Sequence, residues 1–393
     1  MRRPRAIFIA LGAVVVAGFA GLRFARPAAP DRVVGAVCRR RLGEERRTCY
    51  IRLIEGYLST YGVARAVETL DSLAAADPEM AQHAHEYAHG LGIRAYARSP
   101  DIATTFVSCG DGSASGCRHG FMQAYFQGRS HVTAADVRAL CRPFERKTLS
   151  VALLFQCMHG MGHGLAMFHD HDAPPALADC DLLTIDWGRV ACHGGVFMEE
   201  FGNATAPHHP AGHAAHGHAS SYKAIDPADP LYPCSIMEQR YLMACYAFQA
   251  SVILYLNGGD IPGAARVCDR APVGMRTLCY DGLGRDVTMY ASRDPRKSVQ
   301  LCATGSEAYR PACYAGAARA LVNWTGTTDD ALELCRAVAA RGQAGESDAR
   351  PCYVGLGISI ATLVATAADR EQQCGRAVEP RAVEACRQGA GLR

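Results

Sequence analysis

The chain has 393 residues, of which 49% are hydrophobic and 20% charged, a globular composition with enough apolar residues for a large core. The formal net charge is only +3 with histidine neutral, and the chain carries no basic stripe interleaved with aromatic residues. These features indicate a folded protein and argue against a nucleic-acid partner.

The first thirty residues predict a targeting or membrane segment. Arg2, Arg3 and Arg5 precede 17 uncharged residues, 6–22, and Arg23 follows. This pattern is typical of either a cleaved signal peptide or an uncleaved membrane anchor. We favour the anchor, because the apolar run is long and arginine follows it closely. Positive charge ahead of the span keeps the N-terminus in the cytoplasm, so both interpretations place the remainder in the periplasm or at the cell surface.

Eighteen cysteines predict disulfide bonds and therefore an oxidising compartment. The spacing C-x-x-C does not occur, which argues against zinc ribbons and thioredoxin-type chemistry. The simplest pairing joins neighbours along the chain. The nine pairs are Cys38/Cys49, Cys109/Cys117, Cys141/Cys157, Cys180/Cys192, Cys234/Cys245, Cys268/Cys279, Cys302/Cys313, Cys335/Cys352 and Cys374/Cys386.

The cysteine pairs mark a repeat. In the C-terminal half, the first cysteines of successive pairs are 34, 34 and 33 residues apart, which is a helical-repeat period. A glycine recurs three residues after the second cysteine of a pair. Glycine lowers helix stability by up to about 1 kcal/mol, so its recurrence predicts a close approach of two helix backbones. These glycines are Gly120, Gly160, Gly195, Gly282, Gly316, Gly355 and Gly389.

Each repeat is predicted to contain a long helix A, which begins near the second cysteine, and a shorter helix B, which ends near the next first cysteine. Thr133, Asp294 and Thr328 are start signals for helix B. A disulfide at each joint would add roughly 2–3 kcal/mol of stability. The period and the paired helices resemble tetratricopeptide-type repeats of the disulfide-stapled kind, although the signature residues of that family are absent. The resemblance implies an all-α solenoid or arc over residues 35–393 and implies no chemistry.

The histidines suggest a further division of the chain, because all 15 lie between residues 83 and 218. Glycine, proline and alanine interleave with histidine at 208–218, which predicts a flexible segment that loads metal, covers a site or simply links two units. The predicted regions are a targeting segment at 1–30, an N-terminal helical unit at 31–82, histidine-rich metal-binding repeats at 83–203, a flexible histidine-rich insertion at 204–230 and cysteine-paired repeats at 231–393.

Histidine recurs at one register in consecutive A helices. Counted from the second cysteine, or from His83 where that cysteine is missing, the register places histidine two and six residues further on. Residues four apart lie on the same face of a helix. If the A helices lie side by side, six imidazoles converge. Five of them are in register, and His193 is one residue out of register. The six are His85, His89, His119, His159, His163 and His193.

Converging imidazoles predict a transition-metal site for zinc, copper or iron and exclude a calcium or magnesium cage. Six candidates exceed the needs of one tetrahedral ion, so two metals fit, as does one metal with supporting histidines. Residues 85–89 also match the H-E-x-x-H motif of zinc proteases, in which the glutamate is the general base. Glu86 is therefore the candidate catalytic residue, and the alternative is a solvated helix position.

Two other polar clusters carry weaker predictions. Glu199 and Glu200 are secondary candidates for the site, but an exposed helix end explains them better. Residues 169–172, His-Asp-His-Asp, suggest a polar loop with Asp172 as a helix cap, rather than a second site.

Three functions are open at this point. The favoured one is a metal-dependent enzyme, a hydrolase of a protein or peptide if Glu86 faces the metal, or an oxidoreductase if the centre is all-histidine copper or iron. The second is a non-enzymatic metal carrier. The third is a scaffold that binds a partner protein through tyrosines beside the cysteines, although packing against the disulfides explains these residues better. The tyrosines are Tyr246, Tyr280, Tyr314 and Tyr353.

Overall fold

The computed structural model describes residues 30–110, 112, 115–145, 151–205, 222–364 and 366–392. In this part of the chain there are eighteen α-helices and no β-strand, which confirms the predicted all-α class. The helices are α1 (Pro30–Arg39), α2 (Gly43–Tyr61), α3 (Val63–Ala76), α4 (Pro78–Arg98), α5 (Gly116–Gln127), α6 (Ala134–Leu140), α7 (Val151–Phe168), α8 (Ala173–Cys180), α9 (Asp186–Thr205), α10 (Leu242–Leu256), α11 (Ile261–Cys268), α12 (Val273–Tyr290), α13 (Pro295–Cys302), α14 (Arg310–Thr325), α15 (Asp329–Ala339), α16 (Gln343–Leu363), α17 (Ala367–Gly375) and α18 (Pro380–Gly389).

By its internal contacts the chain divides into two units, residues 1–53 and 54–393. In the second unit, the A helices α4, α5, α7, α9, α10, α12, α14, α16 and α18 each contact the next A helix in this series. The short B helices α6, α8, α11, α13, α15 and α17 lie between A helices in sequence, and a shared hydrophobic core runs along the stack. The predicted solenoid of helical hairpins is thus confirmed for this unit.

All nine predicted disulfides form, and none of the 18 cysteines is free. From Cys141/Cys157 onward, each bond joins the end of a B helix to the A helix that follows, except Cys234/Cys245, in which Cys234 lies in a turn ahead of α10. For example, α13 ends at Cys302, and Cys313 lies in the first turn of α14. Nine disulfides favour an extracytoplasmic location, because thiols are kept reduced in the cytosol.

The predicted start signals of the B helices are confirmed as N-caps, with different strengths. Thr133 forms a reciprocal capping box with Asp136 at the start of α6, and Asp294 accepts a hydrogen bond from the Lys297 backbone at the start of α13. Thr328 is the N-cap of α15 but makes no side-chain capping bond, and its hydroxyl donates to Gln373 instead.

The recurring glycines lie where neighbouring A helices cross. A Cβ atom on Gly120 would overlap the carbonyl oxygen of His89, and one on Gly195 would overlap that of His159. The predicted close approach is confirmed at these positions. At Gly160 the nearest group is the side chain of Met122 instead. The same backbone overlap with the preceding A helix occurs at Gly282, Gly316, Gly355 and Gly389.

The tyrosines beside the cysteines are buried within the repeats. Each of the four exposes at most 4% of its surface, which agrees with packing inside the hairpins. A partner protein would not reach these side chains in the folded repeats. They are Tyr246, Tyr280, Tyr314 and Tyr353.

One helix in the described part of the chain, α7, is long and apolar enough to cross a membrane. However, 72% of its apolar window is buried inside the protein, as is typical of a core helix. The membrane segment predicted at 6–22 lies outside the described residues, as do residues 206–221 of the predicted insertion.

Candidate metal centre

Three consecutive A helices bring five histidines together. His85 and His89 lie on α4, His119 on α5, and His159 and His163 on α7. We call these five residues the five-histidine centre. Helix α5 contacts both α4 and α7, so its single histidine lies between the two pairs. Its ring centre is 5.4 and 5.5 Å from those of the α4 histidines, and 5.9 and 4.0 Å from those of the α7 histidines.

The centre contains two overlapping groups with the spacing that a metal ion needs. One group is His85, His89 and His119, and the other is His119, His159 and His163. Within each group, one ring nitrogen per residue lies within 4.8 Å of the others. Both groups consist only of histidine, and His119 is common to both.

Within each pair on one helix, the Nε2 atoms are nearly in contact. They are 3.2 Å apart between His85 and His89, and 3.3 Å apart between His159 and His163. Zinc–nitrogen bonds of 2.0–2.1 Å at the tetrahedral angle place two ligand nitrogens about 3.3–3.4 Å apart. Each pair on one helix therefore has the spacing of two ligands of one ion.

Helix α9 orients both histidines of α7. Nδ1 of His163 donates to Oε2 of Glu199 at 2.9 Å, and both side chains are 2% exposed. Nδ1 of His159 donates to the carbonyl oxygen of Ala191 at 3.2 Å. A carbonyl or carboxylate oxygen only accepts, so these partners assign the ring proton to Nδ1 in both residues. Each Nε2 is then a bare acceptor whenever its ring is neutral.

The two α7 histidines therefore point lone pairs into the same space. With both Nδ1 protons engaged, only an added proton or another cation can lie favourably between Nε2 of His159 and Nε2 of His163. Burial, and after it the neighbouring His163, lowers the pKa of His159 to about 3, so this ring is neutral near pH 7. Phe155 stacks on the His159 ring at 5.7 Å, and Phe248 lies 6.2 Å away on a similarly oriented plane.

His119 is buried and stays neutral for the same reason. It is 2% exposed, and burial followed by the four neighbouring imidazoles lowers its pKa well below 6.5. Its Nδ1 atom has no hydrogen-bond partner among the described residues. Leaving a buried polar atom unpaired destabilises a fold by about 1–3 kcal/mol, so this nitrogen marks a place where a ligand would be stabilising.

We expect acid to destabilise the metal-free protein. The pKa of His159 is about 3 in the folded state and about 6.5 in an unfolded chain. Between these values the unfolded state binds more protons, so the free energy of unfolding decreases as the pH falls through this window. Urea unfolding of chelator-treated protein between about pH 7.5 and pH 5 checks this sign. The variant His159→Asn should show a shallower dependence, and equal slopes in the two proteins would contradict the explanation.

His193, the sixth predicted ligand, lies in neither group. Its Nε2 is 2.9 Å from Oδ1 of Asp181, whose other oxygen accepts a hydrogen bond from the Tyr241 hydroxyl at 2.7 Å. The reason is rotation: His193 is one residue before the register, and one residue turns a helix by about 100°. Gly194 occupies the register position instead, and a Cβ on it would lie 3.6 Å from Nδ1 of His159.

Glu86 lies next to His85 on α4 and forms an ion pair with His83. Its carboxylate is 3.5 Å from Nδ1 of His83, and a quarter of its side chain is exposed. One residue after His85 on the helix, it projects about 100° away from that ring. Its predicted role as a general base stays a prediction.

The expectation that Glu199 and Glu200 form an exposed helix end is wrong. They are 2% and 1% exposed, because α9 continues to Thr205 and packs against both α7 and α10. Burial, and then Glu199 and Asp172, raises the pKa of Glu200 well above 4.5. The sequence signal for this burial was present: the two acids lie between Phe197 and Phe201, inside an apolar stretch of a predicted A helix.

The predicted polar loop at 169–172 has ionic contacts of its own. Nε2 of His169 is 2.8 Å from Asp179, and Nδ1 of His171 is 3.8 Å from the buried Glu200. Asp172 is the N-cap of α8 but makes no side-chain capping bond. The cap position was correctly predicted, whereas the approach of this segment to Glu200 was not.

Comparison with known proteins identifies no relative of this chain. No protein-family model matches the chain, and neither a curated protein nor a solved structure matches it.

Proposed function

We propose that this protein is an extracytoplasmic metalloprotein whose five-histidine centre binds a transition metal, and that it acts as a metal-dependent enzyme. The proposal includes attachment to the membrane through residues 6–22. The supporting features are the histidine groups and the disulfides.

The facing Nε2 atoms of His159 and His163 carry the proposal. Glu199 and Ala191 engage both Nδ1 protons, so two lone pairs meet at 3.3 Å. A proton between them would require a charged imidazolium next to other buried imidazoles. A metal ion accepts both lone pairs without adding a proton to either ring, which agrees with the lowered pKa values of His119 and His159.

The donor set supports zinc, copper or iron. Imidazole nitrogen suits these metals, whereas calcium and magnesium prefer oxygen. A tetrahedral ion held by three histidines keeps one open position, as catalytic zinc sites do, and this supports an enzyme. A bound metal supplies Lewis-acid or redox chemistry at such a position.

Between the two enzyme classes, the contacts favour an oxidoreductase. Both groups are all-histidine, and the candidate general base Glu86 pairs with His83. Oxygen or a small electron donor needs no carboxylate at the metal, whereas hydrolysis usually needs a base positioned on the attacking water. Hydrolysis of a protein or peptide is the alternative, and it would use Glu86.

A metal carrier is the second candidate, and burial is the observation that favours it. His89, His119 and His163 each expose only 2% of their surface, so an ion among them would be shielded from large substrates. Copper-loaded protein separates the candidates. An oxidoreductase should consume oxygen with ascorbate as electron donor, whereas a carrier should pass copper to a metal-free acceptor without sustained consumption.

Elemental analysis tests the metal centre itself. The protein should be isolated without a histidine tag and with the five insertion histidines at 208, 209, 213, 216 and 218 replaced by asparagine. We expect at least one zinc, copper or iron ion per chain, because the centre offers two complete groups of ligands. The variant His163→Ala, which removes a ligand from one group, should bind less metal than the parent protein, whereas His131→Ala, at an exposed position, should bind the same amount.

A folded protein that contains no such ion, and that takes up neither Zn(II) nor Cu(II) after dialysis, would overturn the proposal. Folding is checked independently by helical circular dichroism and by the absence of free thiols, since all 18 cysteines are paired.

A further inference from the structure

His119 belongs to both groups of ligands, and this determines how many ions the centre can hold. The inference drawn from it rests on the proposed metal-binding function. The two groups with ligand spacing have one residue in common. Their other members are two separate pairs, each on its own helix and each already at the spacing of two ligands of one ion. The pairs on α4 and α7 can therefore each supply two ligands to a separate ion.

His119 lies between the two pairs, in ring contact with members of both. Its ring is edge-on to those of His85 and His89, at interplanar angles of 70° and 72°. It is nearly parallel to that of His163, at 17°. Only a histidine with one pair on either side can complete both groups.

A ring nitrogen binds one metal ion, so a histidine common to two ions must use both nitrogens. Nδ1 of His119 is buried and has no hydrogen-bond partner among the described residues, so no protein group competes for it. His163 differs in this respect, because Glu199 accepts its Nδ1 proton and leaves only Nε2 for a metal. The same holds for His159, whose Nδ1 proton goes to Ala191.

We propose that His119 bridges two transition-metal ions, one also held by His85 and His89, and the other also held by His159 and His163. A neutral imidazole has one ring N–H. Binding of the second ion to that nitrogen forms one metal–nitrogen bond, breaks the N–H bond and releases one proton to water, so no oxidant or reductant is required. His119 turns out of its stack with His163 on loading, because the in-plane lone pairs of parallel rings do not meet at one point.

Copper titration followed by electron paramagnetic resonance tests the bridge. The probe is Cu(II) alone, added to the full chain in which the five insertion histidines are asparagine. We expect two ions per chain at saturation. Because a bridging imidazolate couples two Cu(II) spins antiferromagnetically, the low-temperature signal should account for far fewer than two spins per chain.

Two variants at the bridging position make the test specific. In His119→Ala, and in His119→Gln as a second variant of closer volume, bound copper should regain its full spin count or fall to one ion. The exposed His131→Ala is the matched control and should behave like the parent protein. Helical circular dichroism establishes that each variant is folded before its copper is counted.

The possible outcomes distinguish the proposed histidine bridge from the proposed metal binding. No tightly bound copper would overturn both proposals. One ion with a full spin count, or two ions with two full spins, would overturn the bridge and leave the metal centre standing. Two ions with a reduced spin count that is restored in the His119 variants would support the bridge.

Discussion

Replacing Glu199 with alanine is expected to weaken metal binding at the α7 histidines by about 10- to 100-fold. The carboxylate accepts the Nδ1 proton of His163 at 2.9 Å, which fixes the ring orientation and directs Nε2 toward His159. Without it, the buried N–H loses its acceptor and the ring can rotate. Competition with a chelator of known affinity measures the change in the dissociation constant.

Two matched variants distinguish orientation from general destabilisation. Glu199→Gln keeps an amide oxygen that can accept the same proton, so it should recover most of the lost affinity. Glu200→Gln changes the adjacent buried acid, which lies 3.8 Å from His171, and should leave affinity nearly unchanged. A loss in Glu199→Gln as large as that in Glu199→Ala, or an equally large loss in Glu200→Gln, would show that Glu199 acts only through the packing of α9.

Alanine at Gly284 is expected to lower the free energy of unfolding by about 3 kcal/mol or more. A Cβ there would overlap the carbonyl oxygen of Cys313 on the next A helix, and no flexible side chain is available to move aside. Helices α12 and α14 would have to separate along their whole crossing. Urea denaturation with disulfides intact measures the loss.

The same helix provides the control. A Cβ on Gly274, in the first turn of α12, meets no atom within 4 Å, and its φ angle is not positive. Gly274→Ala should therefore be neutral or stabilise the protein by up to about 1 kcal/mol, since alanine favours helix. Comparable destabilisation by both substitutions would refute the close-packing explanation for Gly284.

The repeat made much of the fold predictable from the sequence. Each cysteine pair is close in the chain, so its partner could be chosen without knowing the tertiary structure, and all nine choices are confirmed. The glycine register predicted the helix crossings because it repeats with the same period. The histidine register then identified side chains on equivalent faces of α4, α5 and α7, and five of the six predicted ligands lie together.

The features that the sequence analysis missed involve helix rotation and side-chain burial. On α9, His193 lies one residue before a register position, and Glu199 lies one residue after the next register position. The helix therefore places Gly194 next to the centre, and its Glu199 carboxylate contacts the Nδ1 atom of His163. The offset of His193 is visible in the sequence, but its effect on ligand distances is not, because that effect depends on how α9 is rotated against α7. Likewise, the burial of Glu200 depends on how closely α9 packs against its neighbours.

The sequence by itself determined the helical hairpins, the disulfide joints and the helix faces that carry histidine, because each depends on local spacing along the chain. Only the tertiary structure decided which imidazoles come within ligand distance, which protons Glu199 and Ala191 accept, and that His119 lies between two pairs. The physical reason is that coordination and hydrogen bonding depend on ångström-scale distances between helices, and these distances are set by the packing of side chains more than thirty residues apart.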